Sequence, residues 1–105
     1  MRLVIQFTPM QRAAVLHGLA ALSSVRAQAM RRALASSRAI IVTYGDETDA
    51  AVLRESLESC TYMALFAESG EEKRAHAWAA LTGARQEVAR VLQIDPGTIA
   101  LQGEP

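Results

Sequence analysis

Residues 2–7 alternate, with Leu3, Ile5 and Phe7 on one side and Arg2, Val4 and Gln6 on the other. A period of two is that of a strand with one buried face. At Thr8-Pro9-Met10-Gln11 the signals change to those of a helix start. Thr8 suits the N-cap, Pro9 the first helical position, and Gln11 completes the spacing of a capping box. The helix predicted over 9–22 lacks a polar face. Val15, Leu16, Leu19 and Leu22 form one bulky stripe, and Met10, Ala14, Gly18 and Ala21 form a second face, with only Gln11, Arg12 and His17 polar. A helix apolar all round must be enclosed, so this element is expected at the centre of the fold or in a subunit interface. Gly18 costs about 1 kcal/mol in a helix interior, which is easier to sustain where a neighbouring backbone comes close.

Ser23 and Ser24 punctuate the chain before a second helix, predicted over 25–37. Its apolar arc holds Ala27, Ala29, Met30, Ala33 and Leu34, and its opposite arc Gln28, Arg31, Arg32 and Arg38. The β-branched run inside residues 39–44 favours a strand, with a continued helix as the alternative because no breaker precedes Gly45. After the Gly45-Asp46 turn, Asp46 or Thr48 can cap a third helix, predicted over 48–68, with Val52, Leu53, Leu57, Cys60, Met63, Ala64 and Ala67 on its core face. Ser69 and Glu72 have capping-box spacing ahead of a fourth helix over 70–93, which would bury Trp78, Leu81, Ala84, Val88 and Leu92. Gly83 is where that helix would bend or meet a close neighbour. Asp95-Pro96-Gly97 marks a turn. Thr98 to Gln102 alternates again as a short edge strand, and the Gly103-Glu104-Pro105 tail is expected to be loose. The predicted architecture is a single helix-dominated α+β domain over residues 1–105, with four helices, short strands at the two termini, and a strand at 39–44.

Composition sharpens this picture. Twenty residues are alanine and five are aromatic, so the core should be made by closely approaching helices rather than large rings. A domain this small often gains buried area from oligomerisation. The charge is divided: residues 1–45 hold six arginines and no acid, and residues 46–105 hold eleven acids against five bases. Such asymmetry points either to a nucleic-acid surface on the basic part or to one part docking on the other. Cys60 is the single cysteine, which excludes an intrachain disulfide and a cysteine-rich zinc site and fits a reducing, cytoplasmic setting. Ala13 to Val25 is too short for a spanning helix. With Ala27-Gln28-Ala29 it has the outline of a secretory signal, but Pro9, Arg12 and His17 break the pattern. No membrane role is expected.

Candidate chemistry is sparse. Glu72 and His76 stand one helical turn apart and could pair as acid and base or hold a metal, yet neither Glu-x-x-His nor His-Glu-x-x-His is present. A solvated helix face is the plainer reading. His17 among alanines reads as a histidine satisfied by one neighbour, and Cys60 as a buried structural thiol. No catalytic residue, metal site or cofactor is expected. Tyr62, Leu65 and Phe66 emerge opposite the core stripe of the third helix and need a cover, from within the chain or from a partner. The arginines can contact phosphate or pair with Glu55, Glu58, Glu71 or Glu72.

Residues 2–34 resemble the ribbon-helix-helix DNA-binding proteins. The likeness rests on the strand with Leu3, Ile5 and Phe7, the Thr8-Pro9 helix start, the Ser23-Ser24 turn, and a second helix containing Ala29-Met-Arg-Arg-Ala-Leu34. It implies two such strands paired across a dimer, with Arg2, Val4 and Gln6 toward bases and the turn near Ser24 and Val25 toward phosphate. Departures are the missing glycine in the inter-helix turn, Gly18 at a bulky core position, and the acidic helical region that follows.

The chain is therefore expected to be a non-enzymatic, small oligomeric or protein-interaction module, with Tyr62, Leu65 and Phe66 as its contact residues. The alternative is a dimeric DNA-binding regulator using Arg2, Gln6, Arg31, Arg32 and Arg38.

Overall fold

The computed structural model describes residues 1–103. Strands β1 (Arg2–Gln6) and β2 (Ala39–Thr43) pair antiparallel, from Arg2 opposite Thr43 to Gln6 opposite Ala39. Helices α1 (Pro9–Ala20) and α2 (Val25–Ser36) lie between them in sequence, and α3 (Glu47–Glu58), α4 (Glu71–Leu92) and two short 3₁₀ turns, Tyr62–Phe66 and Pro96–Thr98, follow. The fold is helix-dominated α+β, as expected, with the strand at 39–44 realised. Alternation decides the ribbon's two faces. Ile5, Ile40 and Val42 are buried, while Val4 and Ile41 stand opposite each other on the outer face, about half exposed. β1 finds its partner within its own chain, whereas the ribbon of ribbon-helix-helix proteins is made between two chains.

No glycine or proline separates α2 from β2, yet the helix stops. Ser37 is extended, and its hydroxyl donates to the Ala33 carbonyl while accepting from the Ala39 N–H. Such local bonds compete with helix propagation. Arg12 of α1 completes the stop: Nε donates to the carbonyls of Leu34 (2.7 Å) and Ser37 (3.0 Å), and Nη2 to that of Ala35 (2.6 Å). A cation there also suits the negative end of the helix dipole.

α1 is the central element, packed on α2, α3, α4 and the first 3₁₀ turn. The Thr8–Gln11 capping box forms as the sequence implies. Gly18 shows why a glycine belongs there: a Cβ at that position would lie 1.9 Å from the Ser56 carbonyl oxygen of α3. Gly83 of α4 meets the Gln11 side chain, 2.6 Å from where a Cβ would stand. Enclosure of α1 is nevertheless incomplete. Ala14, Val15, Gly18 and Leu19 are buried, but Met10, Ala13 and Ala20 face outward. Alanine exposes little apolar area, so a bare strip of this kind is inexpensive to hydrate.

Four further expectations are corrected. The third helix ends at Glu58, ten residues short of the predicted 68. Ser59 closes it, Cys60 turns into the core, and its thiol donates to the Ala14 carbonyl at 3.3 Å. That contact anchors the chain against α1 and redirects it, so Tyr62–Phe66 continues as a separate 3₁₀ turn. The Ser69–Glu72 capping box does not form; Gly70 is the N-cap, without a side-chain cap bond, and the Ser69 carbonyl accepts from Arg74. Thr98 to Gln102 is not a strand. The Asp95 side chain accepts from the Gly97 N–H and Pro96–Thr98 winds into a 3₁₀ turn, after which Ile99 and Leu101 still enter the core. Trp78 is half-buried at the core margin. The expectation for Glu104 and Pro105 lies outside the described residues. Among the described residues no helix is long and apolar enough to cross a membrane.

Candidate functional site

The break after α3 creates the most distinctive surface. In the five-residue turn Tyr62–Phe66, the Tyr62 and Phe66 rings meet edge to face, with centroids 5.1 Å apart. The His17 ring of α1 lies 6.1 Å from Tyr62 in a similar attitude, and its Nε2 is 2.9 Å from Thr61 Oγ1. Edge-to-face pairs add about 0.5–1.5 kcal/mol beyond area burial. The two rings, both half-buried, therefore buttress the turn against α1 and α4. Leu65 is left pointing outward, 62% exposed. The three expected contact residues are thus brought together, with different parts: two rings that fix the turn and one leucine that projects from it.

The basic candidates form a second surface. Arg2 and Gln6 lie on the outer face of β1, alternating with Val4 and flanked by Ala39, Ile41 and Thr43 of β2. Arg31 and Arg32 are exposed on α2, and Arg38 leads into β2 beside Phe7, whose N–H donates to its carbonyl. Arg2 and Arg38 stand at opposite ends of the ribbon. None of these arginines pairs with Glu55, Glu58, Glu71 or Glu72: among the described residues, the ion pairs are Arg26–Asp49, Arg54–Glu58 and Arg90–Glu87. Arg2, Arg31, Arg32 and Arg38 have no carboxylate partner there.

Arg26–Asp49 was not legible in the sequence, because nothing in a 23-residue separation signals a contact. Arg26 donates from Nε to Asp49 Oδ1 (2.5 Å) and from Nη2 to Oδ2 (3.1 Å) and to the Ile41 carbonyl (3.1 Å). Asp49, 4% exposed, also accepts from the Thr43 N–H at 3.0 Å. The pair seals the outer edge of β2, whose free N–H and C=O groups would otherwise invite another strand. Burial works against the charge on Asp49, but the Arg26 fork and the Thr43 N–H outweigh it and hold the carboxyl below its ordinary range.

The remaining candidates stay apart. Glu72 and His76 are both exposed on α4, and no group of three or more His, Cys, Asp or Glu side chains is placed to hold a metal among the described residues. Cys60 is fully buried, and burial pushes its thiol up from the usual value. No protein-family model, curated protein or solved structure matches this chain.

Proposed function

We propose that this chain is a non-enzymatic interaction module whose contact element is the turn Tyr62–Phe66. The observation that carries the reading is Leu65, a large apolar side chain more than half exposed on a short turn that two half-buried rings hold in place. An apolar anchor presented by a fixed support loses little conformational entropy on docking, which is what a contact residue needs. A second copy of the chain is the first partner to test. Leu65→Asp should lower a concentration-dependent solution mass toward that of the monomer while leaving the circular dichroism unchanged. An identical mass distribution for wild type and Leu65→Asp would remove the reading.

The exposed arginines support a second reading, a DNA-binding regulator acting as a dimer. A two-stranded β-ribbon has the dimensions of the major groove, and this one carries Arg2 and Gln6 on its outer face with Arg38 at the far end. Under this reading the chain retards duplex DNA at low salt, and affinity falls steeply as salt rises. Replacing Arg2 and Arg38 together with alanine should weaken the shift at least tenfold. No shift at low salt rejects it.

A further inference from the structure

The two edges of the β1–β2 ribbon are finished differently. Backbone bonds join Phe7 to Arg38 at one end of the ladder and Met1 to Tyr44 at the other. By alternation, Leu3–Val42 and Ile5–Ile40 are the bonded pairs between them. The N–H and C=O groups of Arg2, Val4 and Gln6 on β1, and of Ala39, Ile41 and Thr43 on β2, therefore point away from the partner strand. On β2 these groups are largely taken up. Ser37 Oγ accepts from the Ala39 N–H, Arg26 donates to the Ile41 carbonyl, Asp49 accepts from the Thr43 N–H, and the Asp46 N–H donates to the Thr43 carbonyl. On β1 the outward groups of Arg2, Val4 and Gln6 have no partner among the described residues. Backbone groups left without a protein partner stay in water, so this edge is open. It is also bounded, because the Thr8 N–H beyond it is held by Gln11.

An extended backbone fits such an edge, since it offers donors and acceptors at alternate residues. Charge narrows the choice of chain. Arg2 lies on the outer face of the ribbon and Arg38 at its far end, neither with a carboxylate partner among the described residues. Asp46 shares a hollow with Arg2 on the β2 side, but its carboxylate already accepts from the Thr48 and Asp49 N–H groups. Two copies joined β1 to β1 would set arginine-bearing faces side by side, whereas an acidic strand neutralises Arg2. On the inner face, Leu3 is partly exposed and lines a hollow of about 260 Å³ with Tyr44, Leu92 and Ile94. Asp46 and Glu47 line it too, so apolar side chains suit that face and carboxylates do not. We propose that the open edge of β1 docks an extended segment of a partner protein, added antiparallel as a third strand, apolar beside Leu3 and Ile5 and acidic opposite Arg2. The segment bonds through its residues opposite Arg2, Val4 and Gln6. The site is separate from the Tyr62–Phe66 turn, which packs on α1 and α4, and rests on neither function proposed above.

A capped Thr-Val-Val-Val-Glu peptide supplies one residue opposite each position from Gln6 back to Arg2. N-methylation of its second and fourth residues removes donors on the edge facing away from β1 and keeps the peptide from pairing with itself. N-methylation of the first, third and fifth removes those facing β1. Titrated into the intact chain and followed by NMR, the first peptide should bind saturably and slow amide exchange at Arg2, Val4 and Gln6 about tenfold or more. The second should bind about tenfold more weakly or worse. Arg2→Glu should weaken binding of the first peptide about tenfold and favour a version with Lys in place of Glu. Val4→Pro removes the central donor at a position outside the ladder, where proline is tolerated, and should abolish binding. Circular dichroism checks the fold of both variants, and the exposed Arg2→Glu change keeps the test whole if the proline variant unfolds. No saturable binding of the first peptide, equal binding of the two peptides, or equal binding of the first by wild type and Arg2→Glu overturns the proposal. So does exchange at Arg2, Val4 and Gln6 that slows with protein concentration alone, because a second copy then holds the edge. Association through Leu65 leaves these amides unchanged, so the two surfaces are read separately.

Discussion

Single residues carry much of this fold, and Gly18 is the sharpest case. The space a Cβ would need is occupied by the Ser56 carbonyl, a backbone group that cannot swing aside. Alanine is the better helix former by about 1 kcal/mol, yet Gly18→Ala is expected to lose about 2–4 kcal/mol net, since α1 and α3 must separate to admit it. Urea unfolding followed by circular dichroism measures the difference. Asp49 gives a second residue-scale test. Its carboxyl sits below its ordinary range in the folded protein, so the pair contributes fully above the unfolded carboxylate pKa of about 3.9 and is lost as pH falls through the lower folded value. Asp49→Asn is expected to cost about 2–3 kcal/mol at neutral pH, because it leaves Arg26 beside a neutral amide. The gap between mutant and wild type should then close in acid, which thermal unfolding between about pH 2 and pH 7 will show.

Elements whose signals are local were legible in the sequence. The alternation of residues 2–7, the Thr8 cap, the Asp46 cap and the β-branched run of β2 all act over a few residues, and all appear where expected. What the sequence concealed was set by contacts distant along the chain. The third helix carries no breaker before residue 68; it ends because Cys60 is drawn to the Ala14 carbonyl, 46 positions earlier. The alternating stretch after Thr98 has the pattern of a strand but finds no ladder partner among the described residues, so its apolar residues pack without one. Arg12 looked like an interruption of an apolar helix and proves to cap another. Arg12→Ala should therefore uncap α2, at about 1–2 kcal/mol for the lost charge-assisted bonds, and amide exchange should rise first in the last turn of α2. Arg12→Lys should recover little of this, because an ammonium gathers its donors on one nitrogen, whereas Arg12 reaches these carbonyls from Nε and Nη2 of a planar fork.

At the scale of the whole molecule, the divided charge is only slightly compensated within the chain. Of the six amino-terminal arginines, Arg12 is taken by helix carbonyls and Arg26 by Asp49, and the other four remain exposed without a carboxylate among the described residues. The pattern of the sequence showed the separation; only the fold shows that it persists on the surface. The same holds for the proposed contact residues. Tyr62, Leu65 and Phe66 stood out as apolar residues in excess of what a third helix could bury, while the division between supporting rings and projecting leucine follows from the helix break. The interaction reading is tested most directly by sedimentation equilibrium of the wild-type chain and Leu65→Asp across a wide concentration range. The account predicts a wild-type mass that rises with concentration and a variant whose association is at least tenfold weaker. Superimposable mass profiles for the two folded proteins would contradict it.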